Sequence, residues 1–305
     1  MSSHDYSNTD IVIYHHPCSD GTASAWCFKS KEFPNLELFQ GNFGDKIPEM
    51  KFFAGKTVVF VDFSYQPEVI TEICSVAKSV RVLDHHKTNL SLLKLELPNL
   101  SLVFDMERSG AQIAWDELNP GIERPWFIDD IGDRDLWTWN IQDSKNTTRA
   151  MFSLGFYGSV EKFCQVNLMD RDYHVRIGAI LNEEDERQTE AIVKRAVECK
   201  VNHPKLSSYR VKIVECEHTN ASDVCNRLVK DGDIDFSVAF RYDISKDEWC
   251  SARSLIGGNS RGEEIDLTKI VPIIDPTGGG HPHASGFTIR SPSNLRTYFT
   301  PVQST

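Results

Sequence analysis

The sequence predicts an α/β protein. An N-terminal doubly wound parallel-sheet domain is followed by a helical connector and a smaller C-terminal α/β domain. Three observations carry this. Short apolar runs alternate with amphipathic stretches through the first half, the pattern of βαβ units. Those runs are apolar at successive positions, as strands covered on both faces are. A charged stretch over 182–200 then interrupts the pattern, which restarts after His203-Pro204.

Each element has its own signal. Ile11 to Tyr14, Thr57 to Val61 and Val80 to Leu83 read as buried strands. Gln66 to Ala77 reads as an amphipathic helix between two of them. Apolar residues recur at helical spacing from Arg108 to Leu118, and Asn119-Pro120-Gly121 ends that helix. Val160 to Leu168 reads as a further helix. Asn182 to Lys200 starts acidic and ends basic, which suits a helix dipole, and has few large apolar residues. Beyond it, strands are expected at Tyr209 to Val214, Phe236 to Tyr242, Cys250 to Arg253 and Gly286 to Ile289, with helices at Ala221 to Val229 and Leu267 to Ile274. The expected boundaries are 1–182 for the first domain, 183–203 for the connector and 204–305 for the second domain.

Composition narrows the function. The chain has 305 residues, with 40% hydrophobic and 25% charged, enough for full cores. Its formal net charge of −11 disfavours gripping a long duplex, which calls for a basic face. The eight cysteines are scattered with no C-x-x-C pair, against a zinc ribbon or redox dithiol. The N-terminus is polar, and no apolar run approaches the ~20 residues of a membrane span. A cytoplasmic protein with reduced thiols and no membrane partner is the expectation.

Ionisable groups gather at strand ends. Six of the ten histidines fall in three clusters: His15-His16, His85-His86, and His281 with His283. The first strand runs into His15-His16-Pro17-Cys18-Ser19-Asp20-Gly21, the second into Asp62, the third into Asp84-His85-His86. Ligands of open parallel sheets bind at the carboxyl ends of strands. Imidazole with carboxylate suits Mn²⁺, and less specifically Zn²⁺, Fe²⁺ or Mg²⁺. One aspartate shared by two ions can hold them ~3.5–4 Å apart, the separation used in phosphoryl hydrolysis. A fourth group, Asp129-Asp130-Ile131-Gly132-Asp133-Arg134-Asp135, concentrates carboxylates that a cation would neutralise. A fifth, Thr277-Gly278-Gly279-Gly280-His281, has the glycines that let backbone N–H groups converge on an anion. Arg253 offers a fork of donors for phosphate.

In this order, the motifs resemble the DHH phosphoesterases. Asp84-His85-His86 resembles their signature. The strand before His15, Asp20-Gly21 and the Asp62 strand end resemble their earlier motifs. Gly278-Gly279-Gly280-His281 with Ala284, Gly286 and Phe287 resembles the glycine motif of the C-terminal domain that accompanies many of them. The variant with Tyr-His-x-x-Cys-x-Asp-Gly is the most similar, given Tyr14-His15 and Cys18 to Gly21. The resemblance covers nearly the whole chain.

It implies two Mn²⁺ ions, with Mg²⁺ or Co²⁺ as substitutes, held by His15, Asp20, Asp62, His85 and Asp133. Asp62 would bridge the ions. His15 and His16 are adjacent, and the place after Tyr14 favours His15. Asp133 is chosen among its neighbours by its position before Leu136-Trp137. Asp84 would orient the neighbouring groups and His86 would face the substrate phosphate. Arg253, Gly279, Gly280 and His281 would hold the rest of the substrate, with the active site in the cleft between the domains. Cys18 departs from the Asp-x-Asp-Gly of many relatives and is a softer ligand that must lose its proton. The implied activity is metal-assisted hydrolysis of phosphate esters in small nucleotides: very short oligoribonucleotides, bis-phosphorylated nucleotides or dinucleotides. A homodimer is allowed. The alternatives are a phosphohydrolase for a non-nucleotide phosphate such as polyphosphate, and a nucleotide-binding protein without catalysis.

Overall fold

A computed structural model describes residues 5–42, 46–165, 170–231, 234–243, 248–254, 265–290 and 293–302, with backbone alone at 218–220, 243 and 248–254. The chain divides into two compact units, Met1–Asn182 and Glu183–Thr305.

Unit 1 is built on a parallel five-stranded sheet of β1 (Ile11–His15), β2 (Glu37–Gly41), β3 (Thr57–Val61), β4 (Ser79–Asp84) and β5 (Leu100–Phe104). The spatial order is β2-β1-β3-β4-β5, and each neighbouring pair is parallel. This is the doubly wound α/β architecture the sequence predicts. The central strands read as unbroken apolar runs because both faces are covered. Ile11, Ile13, Val58, Phe60, Val80 and Val82 pack on one face with Ile70 and Ile73 of α2 (Pro67–Val76). Val12, Tyr14, Val59, Val61 and Leu83 pack on the other. There they meet α1 (Ser19–Lys29), α3 (Gly110–Leu118) and α4 (Trp126–Asp135) through Cys27, Ala111, Phe127 and Ile131. Each Val, Leu, Ile or Phe side chain among them contributes about 1.5–3 kcal/mol when fully buried.

The winding reverses between β1 and β3. In open sheets of this order, that crevice at the carboxyl ends is where ligands bind. His15 closes β1 and Asp62 follows β3, so the sequence delivers a histidine and an aspartate to that point.

Unit 1 continues through α5 (Ser144–Ser153), the one-turn α6 (Val160–Phe163) and the start of α7 (Arg171–Val193), within which the unit boundary falls. The helix expected over Asn182 to Lys200 is therefore displaced: it starts earlier, and Val197–Val201 is strand β6. That segment alternates polar and apolar residues, and strand pairing rather than helix buries Cys199 and Val201. Of the expected Val160 to Leu168 helix, 166–168 lie outside the described residues.

The described residues of unit 2 form a mixed eight-stranded sheet ordered β11-β12-β10-β8-β7-β6-β13, with β9 (Tyr242–Asp243) on β10. Its strands are β6, β7 (Arg210–Glu215), β8 (Phe236–Phe240), β10 (Glu248–Ser254), β11 (Gly279–His281), β12 (Ala284–Arg290) and β13 (Phe299–Pro301). Helices α8 (His218–Asp231), α9 (Leu267–Ile274) and the short α10 (Leu295–Tyr298) complete the unit. Its apolar residues form two buried clusters, one with α9 and one with α8. Among the described residues, no helix is long and apolar enough to cross a membrane.

Candidate metal centre

The ends of β1, β3 and β4 and the last turn of α4 bring one group of side chains together. His85 lies at its middle. Its Nε2 is 3.1 Å from Asp62 Oδ1, 3.4 Å from Asp135 Oδ2 and 3.8 Å from Asp20 Oδ2. His15 Nδ1 is 3.5 Å from Asp62 Oδ2. Potential ligand atoms of Asp20, Asp62 and His85 lie within 4.8 Å of one another, and so do those of His15, Cys18 and Asp62. Asp62 belongs to both groups.

Each residue is held by its local structure. Asp62 leaves β3 in the left-handed region, with φ 53°, while its N–H still donates to Leu83 O at 3.0 Å. Aspartate tolerates that conformation better than most residues, and it marks functional turns. Asp20 sits in the first turn of α1 and accepts from Gly110 N at 2.6 Å and Ala111 N at 3.1 Å. It thereby meets the positive end of α3. Ser109 and Gln112 form a reciprocal capping box that starts α3 at this point. A Cβ on Gly110 would lie 2.5 Å from Asp62 Cβ and 2.9 Å from Asp20 Oδ2, and one on Gly21 would lie 2.2 Å from His15 O. Both positions therefore admit glycine alone. Gly21 was visible in the Asp20-Gly21 pair. Gly110 was missed, and the Ser109-Gly110-Ala111-Gln112 cap was the signal that could have found it.

Asp84 serves a different purpose. Its Oδ1 accepts from the N–H groups of His85 and His86, at 2.7 and 3.1 Å, and bonds His86 Nδ1 at 2.7 Å. Its Oδ2 accepts from Asn89 Nδ2 at 2.6 Å. Fully engaged, Asp84 orients the strand end and fixes which His86 nitrogen faces it. The His15 ring stacks on Phe63 and meets His86 edge-on, with centroids 6.2 and 5.9 Å apart.

The acidic stretch 129–135 is part of α4, and its four aspartates have four separate sets of partners. Asp129 accepts from Gln112 and Arg124. Asp130 accepts from Thr147 and pairs with Arg171. Asp133, expected to be a metal ligand, does not join the centre. It accepts from Thr138 Oγ1, Asn140 N, Ile141 N and Ser144 Oγ at 2.6, 2.8, 3.0 and 2.5 Å, tying α4 to the start of α5. Asp135 takes the place beside His85 instead. His16 belongs to neither ligand group. Its ring packs edge-on to Tyr14, with centroids 6.1 Å apart.

The electrostatics suit a cation. Burial pushes the carboxyl of Asp20 well up, reinforced by Asp62 and Asp135, and burial also raises Asp135. Burial would raise Asp62 too, but the imidazoles of His15, His85 and His86 outweigh it and hold Asp62 well below the usual carboxylate range. Burial alone would pull the His85 ring down, yet the Asp62 hydrogen bond and the charges of Asp135, Asp62 and Asp20 push it up to about 10. Asp62 Oδ2 and Asp135 Oδ2 are buried and accept no hydrogen bond from any described residue. Among the described residues each has only an ion-pair approach, from His15 Nδ1 at 3.5 Å and His85 Nε2 at 3.4 Å, so a divalent ion could supply the missing close contact. Nitrogen and oxygen donors at these spacings fit divalent metals such as Mn²⁺.

The glycine motif lies in unit 2. Gly279, Gly280 and His281 form β11, paired with Gly286, Ser285 and Ala284 of β12. Gly280 has φ 141°, and a Cβ there would lie 2.5 Å from Ala284 O. Ser285 Oγ donates to His281 O at 2.8 Å. Asp275 pins the turn before it, accepting from Thr277 N and Oγ1 and from Thr288 N at 2.9, 2.8 and 2.9 Å. Arg253 of β10 pairs in register with Ala284, so it shares a row with His281 across three strands. The side chain of Arg253 lies outside the described residues.

No protein-family model matches the chain. It is similar to uncharacterized protein R106 of Acanthamoeba polyphaga mimivirus, 31% identical over an alignment that covers 91% of this chain and 66% of that protein. The chain thus spans 66% of the length of that relative. A crystal structure of RecJ in complex with Mn²⁺ from Thermus thermophilus matches with a TM-score of 0.49 and 15% identity, covering 92% of this chain and 49% of that one.

Proposed function

We propose that this chain is a DHH-superfamily phosphoesterase that uses two divalent cations, Mn²⁺ foremost, to hydrolyse phosphate esters of small nucleotides. One observation carries the reading: His15, Asp20, Asp62, His85 and Asp135 converge at the carboxyl ends of β1 and β3 and the adjoining elements, with two buried carboxylate oxygens accepting no hydrogen bond from any described residue. The motif order seen in the sequence gives that convergence its family.

When bound, paired cations supply Lewis-acid activation of water and of the phosphoryl group. The chain's own residues do the rest. Asp62, common to both ligand groups, would lie between the cations. Asp20 and Asp135 would complete the site around His85. Asp84 holds His86 at 2.7 Å, so its ring can stabilise charge on a phosphoryl oxygen without reorganising. Arg253, Gly279, Gly280 and His281 are proposed to grip a further phosphate of the substrate. The net charge of −11 favours very short oligoribonucleotides or bis-phosphorylated nucleotides over long nucleic acid.

The test is a substrate panel given to metal-stripped protein with Mn²⁺: a di- to pentaribonucleotide, 3′-phosphoadenosine 5′-phosphate, a cyclic dinucleotide, pyrophosphate and long single-stranded DNA. The expected result is metal-dependent release of mononucleotide or phosphate from the short nucleotides. Asp62→Asn should reduce it at least about a hundredfold, since the metals contribute several kcal/mol to the transition state. Nucleotide binding with no turnover on any member would replace the enzyme with a binding protein. Equal cleavage of long DNA would overturn the choice of substrate.

A further inference from the structure

Two of the ligand groups that share Asp62 differ in chemistry. Asp20, Asp62 and His85, with Asp135 beside them, offer only nitrogen and carboxylate oxygen. His15, Cys18 and Asp62 add a sulfur, all three donor atoms lying within 4.8 Å of one another.

Cys18 is placed to use that sulfur. It is the N-cap of α1, with extended backbone (φ −148°, ψ 140°), yet its side chain makes no capping hydrogen bond. Asp62, the second member of the group, is 1% exposed and its Oδ2 accepts no hydrogen bond from any described residue. The sulfur of a half-buried cysteine, an imidazole and a buried carboxylate oxygen that accepts no hydrogen bond from any described residue therefore lie together.

We propose that the two cation sites are chemically unequal: Cys18 coordinates as a thiolate, which makes the His15–Cys18–Asp62 site selective for softer ions of the Zn²⁺ and Co²⁺ class. The other site keeps a hard donor set suited to Mn²⁺ or Mg²⁺. The Cys18 proton passes to solvent when the metal binds, as ligation of a thiol requires. Thiolate ligands select softer metals, and carboxylate with imidazole suits harder ones. The centre therefore fills best with two different metals. This rests on the metal-binding reading above.

Cobalt tests it, because thiolate-bound Co²⁺ absorbs in the near ultraviolet and Co²⁺ held by nitrogen and oxygen alone does not. Metal-stripped protein is titrated with Co²⁺, and bound metal is counted by equilibrium dialysis. The wild type is expected to bind two Co²⁺ per chain and to develop the charge-transfer band. Cys18→Ser should lose the band. Cys18→Asp should also lack it while still retaining two ions. Unchanged far-ultraviolet circular dichroism shows that each variant folds. Zn²⁺ should displace the sulfur-bound Co²⁺ and bleach the band before it removes the second ion. Two bound Co²⁺ with no band in the wild type, or a band that survives in Cys18→Ser, would overturn this inference and leave the two-metal reading intact. Failure to bind any Co²⁺ would overturn both.

Discussion

Asp133 and Asp135 stand two residues apart and do different work. Successive helical residues are about 100° apart, so these two side chains point roughly 200° apart around α4. One side faces the turn into α5, where Asp133 collects four hydrogen bonds. The other faces His85, where Asp135 Oδ2 stands 3.4 Å from the ring. Asp135→Asn is therefore expected to weaken Mn²⁺ retention with little change in thermal stability. Asp133→Ala should leave the metal donors in place but destabilise unit 1 by about 1–3 kcal/mol, because the buried Ser144 hydroxyl and three less buried donors lose their acceptor. Dialysis and thermal unfolding of the two variants, run together, separate the roles, and the reverse pattern would refute them. The sequence concentrated four carboxylates here but gave no phase. Once the stretch is known to be a helix, its periodicity sorts them. His15, Asp62 and His85 lie at or just beyond strand ends, where the end of an apolar run marks the position without any need for helical phase.

At the scale of elements, strands buried on both faces announce themselves and half-exposed ones do not. Thr57–Val61 is fully buried and reads as an apolar run. Glu37–Gly41 is part-exposed at the sheet edge, and Leu100–Phe104 is half-buried throughout. Glu37–Gly41 mixes polar and apolar residues, and Ser101 interrupts the apolar run of Leu100–Phe104. Strand β6 is half-exposed too, within a charged segment whose composition predicts a helix. The glycine motif was legible as a motif, but what shapes it was not: Asp275, outside the motif, ties its turn to Thr288. Burial would raise the Asp275 carboxyl, but hydrogen bonds from Thr277 and Thr288, with Arg290 3.7 Å away, hold it below the usual range. A carboxyl lowered on folding contributes stability above its unfolded value, about 3.9, and loses it as pH falls through the folded value. Unit 2 should thus lose stability below about pH 4. Asp275→Asn should be less stable at neutral pH by about 1–3 kcal/mol and show a flatter acid dependence. Denaturant unfolding from about pH 2 to 7 reads both, and parallel curves would contradict the assignment.

At the scale of the whole molecule, each unit has its own buried clusters, and the proposed metal ligands all belong to the first. A ligand that binds only the folded state stabilises it by mass action, about 2.7 kcal/mol at a hundredfold excess over Kd. Calorimetry of the metal-stripped chain should resolve the two units, and Mn²⁺ should raise the melting temperature of unit 1 alone. Movement of the unit 2 transition instead would place the metal elsewhere. The chain divides after Asn182, ahead of the restart of pattern at His203-Pro204, because Val197–Val201 within the expected connector is already a strand of the second unit. The strand order that sets His15 beside Asp62 was not legible in the sequence, because order in a sheet depends on which strands pair and not on their succession along the chain. The most direct measurement is a count of Mn²⁺ retained by the metal-stripped protein after equilibrium dialysis, with Asp62→Asn alongside. Two ions per wild-type chain, with both weakened in the variant because Asp62 serves both, is the predicted result. A wild type that retains no Mn²⁺, or a variant that retains as much as the wild type, would contradict the account.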